Sequence, residues 1–295
     1  MALNFDFSRL STNKIETNTH TVSDPFDSIV IDTDTADITF LPSEDDICQV
    51  VCNEQENAHH TVEVVDGKLT VKYTDTRKWY EHIGIFSFGK TSVTVYLPQL
   101  EYSSLSIVED TGDISIPSNF KFDSIDVTVS TGDVSCYASA SGKMNIKTST
   151  GDIKLESICA GSLELSVSTG KITASSVVCD GDVKLRASTG TTTLTNITCQ
   201  NLTSVASTGK LIMNNIIASG NFSIERSTGD VRFERCDASE ITIVTDTGDV
   251  KGTLLSDKIF IAKTDTGRKD VPETTTGGKC KITTDTGNII IEIVS

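Results

Sequence analysis

The stretch Ser149-Thr150-Gly151-Asp152-Ile153 decides the fold, because the chain keeps returning to it. With Asp allowed in place of the Ser, and Lys, Thr, Arg or Asn in place of the Asp, the turn recurs with its glycine at Gly112, Gly132, Gly151, Gly170, Gly190, Gly209, Gly229, Gly248, Gly267 and Gly287. Successive glycines lie 19 or 20 residues apart. A fixed period of that length marks a repeat architecture, in which each unit buries its apolar face only by stacking on its neighbours.

Register on the glycine turns the repeat into strands. The apolar residues before it are Leu163, Leu165 and Val167 in one unit and Ile125, Val127 and Val129 in another. After it come Ile153 and Leu155, or Val231 and Phe233. Both flanks alternate with period two, the signature of strands with one face inward. A second corner carries Ala140-Ser141-Gly142, Ala160-Gly161-Ser162, Asp180-Gly181-Asp182 and Ala218-Ser219-Gly220, again turn chemistry. Two strands and two corners per repeat exclude a sandwich. They predict an all-β, single-domain β-solenoid (β-helix) of about 19–20 residues per rung, with parallel rungs and a right-handed crossover.

Outward from this core the pattern weakens. The segment Phe26-Asp27-Ser28-Ile29 through Ile38 matches Phe122-Asp123-Ser124-Ile125 through Val134, with Ala36 in the glycine's place. Gly112 lies 76 residues further on, which is four repeats of 19, so the region reads as an early, degenerate stretch of the same repeat. Ala in a glycine position predicts a first turn that needs no positive φ or tolerates some strain. Thr61 to Tyr73 reads as a hairpin about Asp66-Gly67, and Val93, Val95 and Leu97 as a strand closed by Pro98. Three regions follow: 1–25 as an N-terminal extension, or a start that replaces a removed anchor; 26–104 as degenerate rungs with the hairpin and an aromatic cap loop; and 105–295 as the regular solenoid. The chain closes on Asn288-Ile289-Ile290-Ile291-Glu292-Ile293, a β-rich end without a cap, which predicts an open edge and self-association there.

The bulk numbers exclude several function classes. The 295 residues carry a formal charge of −16, which repels phosphate backbones and makes nucleic acid an unsuitable partner. No window approaches a transmembrane span, and Met1 to Leu10 lack the regions of a signal peptide, so the chain reads as soluble, with any membrane attachment left to an anchor outside it. Of the eight cysteines, Cys159, Cys179 and Cys199 fall 20 apart at one repeat position and Cys236 close to it, which predicts a buried column of stacked thiols.

Candidate chemistry is sparse. The triplets Asp246-Thr247-Gly248, Asp265-Thr266-Gly267 and Asp285-Thr286-Gly287 spell the aspartic-protease signature, but here they are consecutive repeat turns in which Ser substitutes for Asp. The aligned Asp113, Asp133 and Asp152, and Asp230 and Asp249, suggest a calcium ladder; Lys171, Thr191, Lys210 and Arg268 interrupt it, and hydrogen bonding to turn amides is the plainer role. Cys48, Cys52, His59 and His60 offer zinc-type ligands at a loose spacing. No nucleophile–base set or phosphate loop is present, so the expectation is no catalytic residue, no cofactor and no metal. The best partner-binding candidates are Trp79, Tyr80, Phe86 and Phe88, the densest aromatic cluster, with capping of the first rung as the competing role.

The Ser/Asp-Thr-Gly-Asp-Ile/Val rungs, with the opening Phe26-Asp27-Ser28-Ile29 strand, resemble the bacterial putative-adhesin family of β-strand-repeat proteins, a domain-of-unknown-function family. The resemblance runs from Phe26 to the C-terminus and is clearest from Leu105. It implies a β-solenoid carried outside the cytoplasm, at the cell surface or behind a membrane anchor, and it supplies no catalytic residues. Together these readings point to a non-enzymatic cell-envelope module that binds or scaffolds a protein or glycan. A purely structural stalk or sensor domain is the first alternative, and a polysaccharide-acting β-helix enzyme the second.

Overall fold

In a computed structural model that describes residues 15–55, 58–75 and 91–294, every regular element is a β-strand. The N-terminal part holds β1 (Ile15–Val22), β2 (Ser28–Thr35), β3 (Asp37–Pro42), β4 (Cys48–Gln55), β5 (Ala58–Val65), β6 (Lys68–Asp75) and β7 (Ser92–Leu97). The regular body holds β8 (Glu101–Thr111), β9 (Ile114–Ile116), β10 (Lys121–Thr131), β11 (Val134–Cys136), β12 (Ser139–Thr150), β13 (Ile153–Thr169), β14 (Ile172–Cys179), β15 (Asp182–Thr189), β16 (Thr192–Cys199), β17 (Asn201–Thr208), β18 (Leu211–Ala218), β19 (Asn221–Thr228) and β20 (Val231–Cys236). The C-terminal part holds β21 (Glu240–Thr247), β22 (Val250–Leu254), β23 (Lys258–Thr266), β24 (Lys269–Asp270), β25 (Gly278–Thr286) and β26 (Ile289–Ile293).

Each rung contributes the strand before its turn glycine to one face and the strand after it to the other. On the first face β8, β10, β12, the second half of β13, β15, β17, β19 and β21 stack in parallel and in register. Val127, Ile146, Leu165 and Leu185 thereby form one inward column, all buried. The second face stacks β9, β11, the first half of β13, β14, β16, β18, β20 and β22 in the same way. This is the expected β-solenoid, with alternation placing Val, Ile and Leu inside and Ser, Thr and charged residues outside.

The Thr-Gly corner is the joint between rungs. The Gly132 amide donates to the Thr150 carbonyl at 2.8 Å, Gly151 to Thr169 at 3.0 Å and Gly170 to Thr189 at 3.1 Å, and the ladder continues along the rod. A side chain on the glycine would destroy it. A Cβ built on Gly170 would lie 2.0 Å from the Gly151 carbonyl oxygen, and φ there is +147°. Both close approach and backbone conformation therefore demand glycine. Ala36 escapes the demand, having no positive φ. On its outer side the β6–β7 rung has no Thr-Gly corner, since residues 76–90 connect those strands instead.

A third bend was not foreseen. Ser157, Ser176, Asn196, Asn215 and Arg235 occupy one repeat position with φ between 51° and 57°. Inward residues there step from Leu155 to Ile158 rather than by two, because a left-handed residue bends the second face. The phase slip also corrects the cysteine column. Cys179 and Cys199 are buried, whereas Cys159 pairs with Val178 rather than Cys179 and is exposed; a one-residue offset flips the side chain to the other face. All eight cysteines are free thiols.

Both ends depart from sequential stacking. β25 pairs with β21 on one side and β23 on the other, and β26 lies between β22 and β24. The last rung in sequence is thus inserted inside the one before it. The corner ladder follows the same detour, from Gly248 to Thr286 and from Gly287 to Thr266. β24 covers only Ile289 and Ile290 of β26, so the expected open edge at the C-terminal strand is reduced to residues 291–293, and the outer edge on the first face is β23. The N-terminal end mirrors this arrangement. β2 lies between β6 and β8, and β3 between β7 and β9, so Ala36 stacks directly on the Gly112 rung with its amide on the Thr111 carbonyl. The residues between them do not supply rungs between those two corners, as the offset of 76, a multiple of 19, had suggested; they build β4 and β5 as antiparallel additions and β6–β7 as an outer rung. The Asp66-Gly67 hairpin forms as read, and β1 pairs antiparallel with β4.

Gly170→Ala is expected to destabilise the chain by ~3 kcal/mol or more, the range of a backbone clash that cannot relax. Gly67→Ala, where φ is +74° and a Cβ meets nothing within 4 Å, should lose only ~1 kcal/mol of left-handed strain. Urea unfolding of the two variants measures the difference.

Candidate functional site

The turn carboxylates come first, because their alignment is the most conspicuous chemical feature of the surface. Asp133 Oδ1 accepts the Asp152 amide at 2.7 Å, Asp152 Oδ1 accepts the Lys171 amide at 2.7 Å, and Asp249 Oδ1 accepts the Asn288 amide at 2.8 Å. Asp113 and Asp230 do the same for the rungs after them. Each of these aspartates thus satisfies a corner amide of its neighbour, the plainer role set against a calcium ladder. The three Asp-Thr-Gly triplets follow from the same register. Asp246, Asp285 and Asp265 belong to adjacent rungs on an exposed surface, with no enclosed dyad between two lobes.

Of the loose zinc set, the fold selects two members and adds a third. Cys52 and Glu54 share the buried face of β4, and the antiparallel approach of β5 brings His60 against them. Their potential ligand atoms lie within 4.8 Å of one another. Cys48 is buried elsewhere on β4, and His59 is half exposed with Nδ1 3.5 Å from Glu54 Oε1. Glu54 was not read from the sequence as a member. Its signal was the spacing of two from Cys52, which in a strand places both on one face.

Glu54 is already well occupied. Asn18 Nδ2 donates to Oε1 at 2.6 Å, and the His60 backbone amide and Nδ1 approach Oε2 at 2.6 and 2.8 Å. Burial pushes its pKa up, but the donors Asn18 and His60 and the His60 charge outweigh it and hold the carboxyl below its usual range. Burial, with the Glu54 charge, pushes the Cys52 thiol up to about 12, so it stays protonated at neutral pH. Three donors of mixed type could take a zinc ion with one position open. In the geometry present they instead lock β1, β4 and β5 together around one carboxylate.

A second buried acid behaves oppositely. Glu109, 1% exposed, sits at the Ala36 corner and accepts the Ala36 amide at 3.0 Å through Oε1. Burial pushes its pKa up to about 7, the Ala36 and Thr111 amides pull against this, and the Asp34 and Asp110 charges add to the rise. Glu109 Oε2 and the neighbouring Thr33 Oγ1 are buried without a partner among the described residues. Arg226, 2% exposed, is the buried cation of the body; its guanidinium donates to Ser204 Oγ at 2.7 Å.

The aromatic candidates Trp79, Tyr80, Phe86 and Phe88 lie outside the described residues. What the fold adds is their place in the chain. They belong to the sequence between β6 and β7, the strands that pair with β2 and β3. No helix among the described residues is long and apolar enough to cross a membrane.

Comparison with known proteins agrees with this architecture. A family model described as Toastrack DUF4097 matches residues 26–187 and 178–295. A search of curated proteins gives no match. Among solved structures, one named as a putative adhesin from Parabacteroides distasonis is similar at 16% identity, with a TM-score of 0.50, covering 81% of this chain and 97% of that one. A putative adhesin from Bacteroides fragilis is 14% identical over 95% of this chain and 97% of its own, with a TM-score of 0.43. A putative lipid binding protein from Parabacteroides distasonis is 15% identical over 95% of this chain and 97% of its own, at a TM-score of 0.31. At such identities the likeness speaks to fold alone.

The two acids predict opposite pH effects. Glu109, raised in the folded state, favours folding below its ordinary pKa of ~4.3, and that contribution fades as pH rises through about 7. Glu109→Gln should therefore raise Tm at pH 8, by about 3 °C or more, and leave it little changed at pH 4.5. Glu54, lowered in the folded state, contributes above ~4.3 and loses that contribution as pH falls through its folded pKa. Glu54→Gln should lower Tm at pH 7 and narrow the difference from wild type in acid. Thermal melts across pH check both signs.

Proposed function

The chain belongs to the Toastrack DUF4097 family, and on that premise we propose that it is a non-enzymatic surface module that binds or scaffolds a protein or glycan of the cell envelope. What supports the reading is the aromatic sequence between β6 and β7. Throughout the regular body the corner is committed to the glycine ladder, and its aspartates serve neighbouring amides. Between β6 and β7, the outermost parallel strands of the described N-terminal end, the sequence 76–90 holds no Thr-Gly pair and carries Trp79, Tyr80, Phe86 and Phe88 instead. Aromatic side chains supply large contact area for little entropy, and they dominate binding hot spots. An insertion at a corner leaves the strands on both sides in register, so it adds recognition without disturbing the rod.

The similar solved structure from Parabacteroides distasonis that is named a putative adhesin supports a binding role without identifying a partner. A stalk or sensor domain is the second reading, favoured by the evenness of the Ser- and Thr-rich outer surface along the body. A polysaccharide-acting enzyme would need paired carboxylates about 5–9.5 Å apart in a groove. The stacked corner aspartates, being engaged with backbone amides, are poorly suited to it.

Trp79→Ala and Phe86→Ala should each weaken binding to cell-envelope fractions by about ten-fold or more, as loss of an aromatic anchor does, while Tm stays near wild type. If binding is unchanged and only Tm falls, the segment is a plug over the end rung. A stalk would show no saturable binding in either form.

A further inference from the structure

The rung insertion leaves the two ends of the rod with unlike, unpaired edges on the same face. At the C-terminal end β23 pairs only with β25 among the described residues. Its inward Phe260 and Ala262 are only partly buried, and its outward Ile259 and Ile261 are 41% and 53% exposed. At the N-terminal end β5 pairs along its length only with β6 among the described residues. Its inward Val62 and Val64 are likewise partly buried, and outward Val65 is 54% exposed. An apolar edge with free backbone groups is a template for another strand.

The ends also differ in charge. Residues 15–75 carry fourteen Asp and Glu against two Lys, whereas residues 258–281 carry six Lys and Arg against three acids. In a chain of −16 this asymmetry favours end-to-end approach and opposes like ends meeting.

We propose that copies of this chain assemble head to tail, the β23 edge of one pairing with the β5 edge of the next. The strand directions permit it. First-face strands are parallel to one another, and β5 runs antiparallel to β6, so coaxial stacking sets β5 antiparallel to the β23 of the neighbouring copy. One register opposes Lys263 to Glu63 and Ile261 to Val65 outside, with Ala262 against Val64 inside. The core columns then run on from copy to copy. Among the described residues Lys263 is ion-paired with the exposed Asp265, at 3.0 Å, a pairing too weak to hold it. Because the contact is heterologous and leaves a free edge at each end, it produces linear chains rather than closed dimers.

Sedimentation velocity of the full 295-residue chain, over a wide concentration range at low and high salt, tests this. Species beyond the dimer should grow with concentration and recede at high salt. Glu63→Lys and Lys263→Glu should each weaken assembly by about two- to five-fold, and the chain carrying both should recover it, with circular dichroism and Tm unchanged throughout. A monomer at every concentration overturns the proposal. So does assembly that stops at a dimer, or that ignores the charge reversals. Neither outcome touches the aromatic-segment reading, which is measured on envelope fractions.

Discussion

One hydrogen bond, from a turn-glycine amide to the threonine carbonyl of the adjacent rung, sets the dimensions of the whole molecule. At 2.8–3.1 Å along the body it draws consecutive corners so close that a Cβ would sit 1.7–2.2 Å from the neighbouring carbonyl oxygen. Glycine is therefore the only residue the corner accepts once a rung is stacked on that side. With the corner fixed, the flanking strands are in register, and alternation of period two lines their apolar side chains into columns. The Asp after the glycine completes the joint by accepting the next corner's amide. Polar groups that seem poised for chemistry are consumed in construction.

The ends are where the construction rule runs out, and the unusual chemistry collects there. Ala36 stands in the glycine's place without a positive φ, on the rung next to β6–β7, whose linking sequence holds no Thr-Gly pair. Glu109 enters the space beneath it, held by the Ala36 amide and burdened by burial. Glu54 ties the antiparallel cap strands together with Asn18 and His60. At the opposite end Lys258, 4% exposed, reaches back to Asp237 at 2.7 Å, fastening the outer rung to the body. A solenoid must stop its own stacking, and buried ion pairs and antiparallel strands are means of doing so at a defined length.

Much of the fold was legible because the corner constraint is written as a glycine every 19 or 20 residues. The inward columns followed from alternation, and the Asp66-Gly67 hairpin from its turn residues. The inserted end rungs were not legible. Thr286 and Thr247 carry the same corner chemistry, so nothing local says which of them Thr266 should meet. Their order is decided by the ends: β25 is buried on both sides, while β23 keeps its charged flanks at the edge. The third bend left a trace, the step of three between Leu155 and Ile158 with Ser or Asn beside it, which a strict two-strand reading passes over. It also misplaced Cys159. The Cys52–Glu54–His60 group was half legible, since alternation pairs the first two but only the antiparallel approach of β5 to β4 brings the histidine.

The proposed sites lie away from the regular joints: in the aromatic sequence between β6 and β7, and on the unmatched edges β5 and β23 at the two ends. The account stands on the corner bond itself, and residue-resolved amide hydrogen exchange of the native chain tests it most directly. The amides of Gly132, Gly151, Gly170, Gly190, Gly209 and Gly229 should exchange as slowly as those of the buried columns beside them, although the residues around them face water. The Gly287 amide, bonded to Thr266 in the reversed end rungs, should be protected with them. Exchange of these glycine amides at the rate of open loops, with protection confined to the strands, would contradict the account.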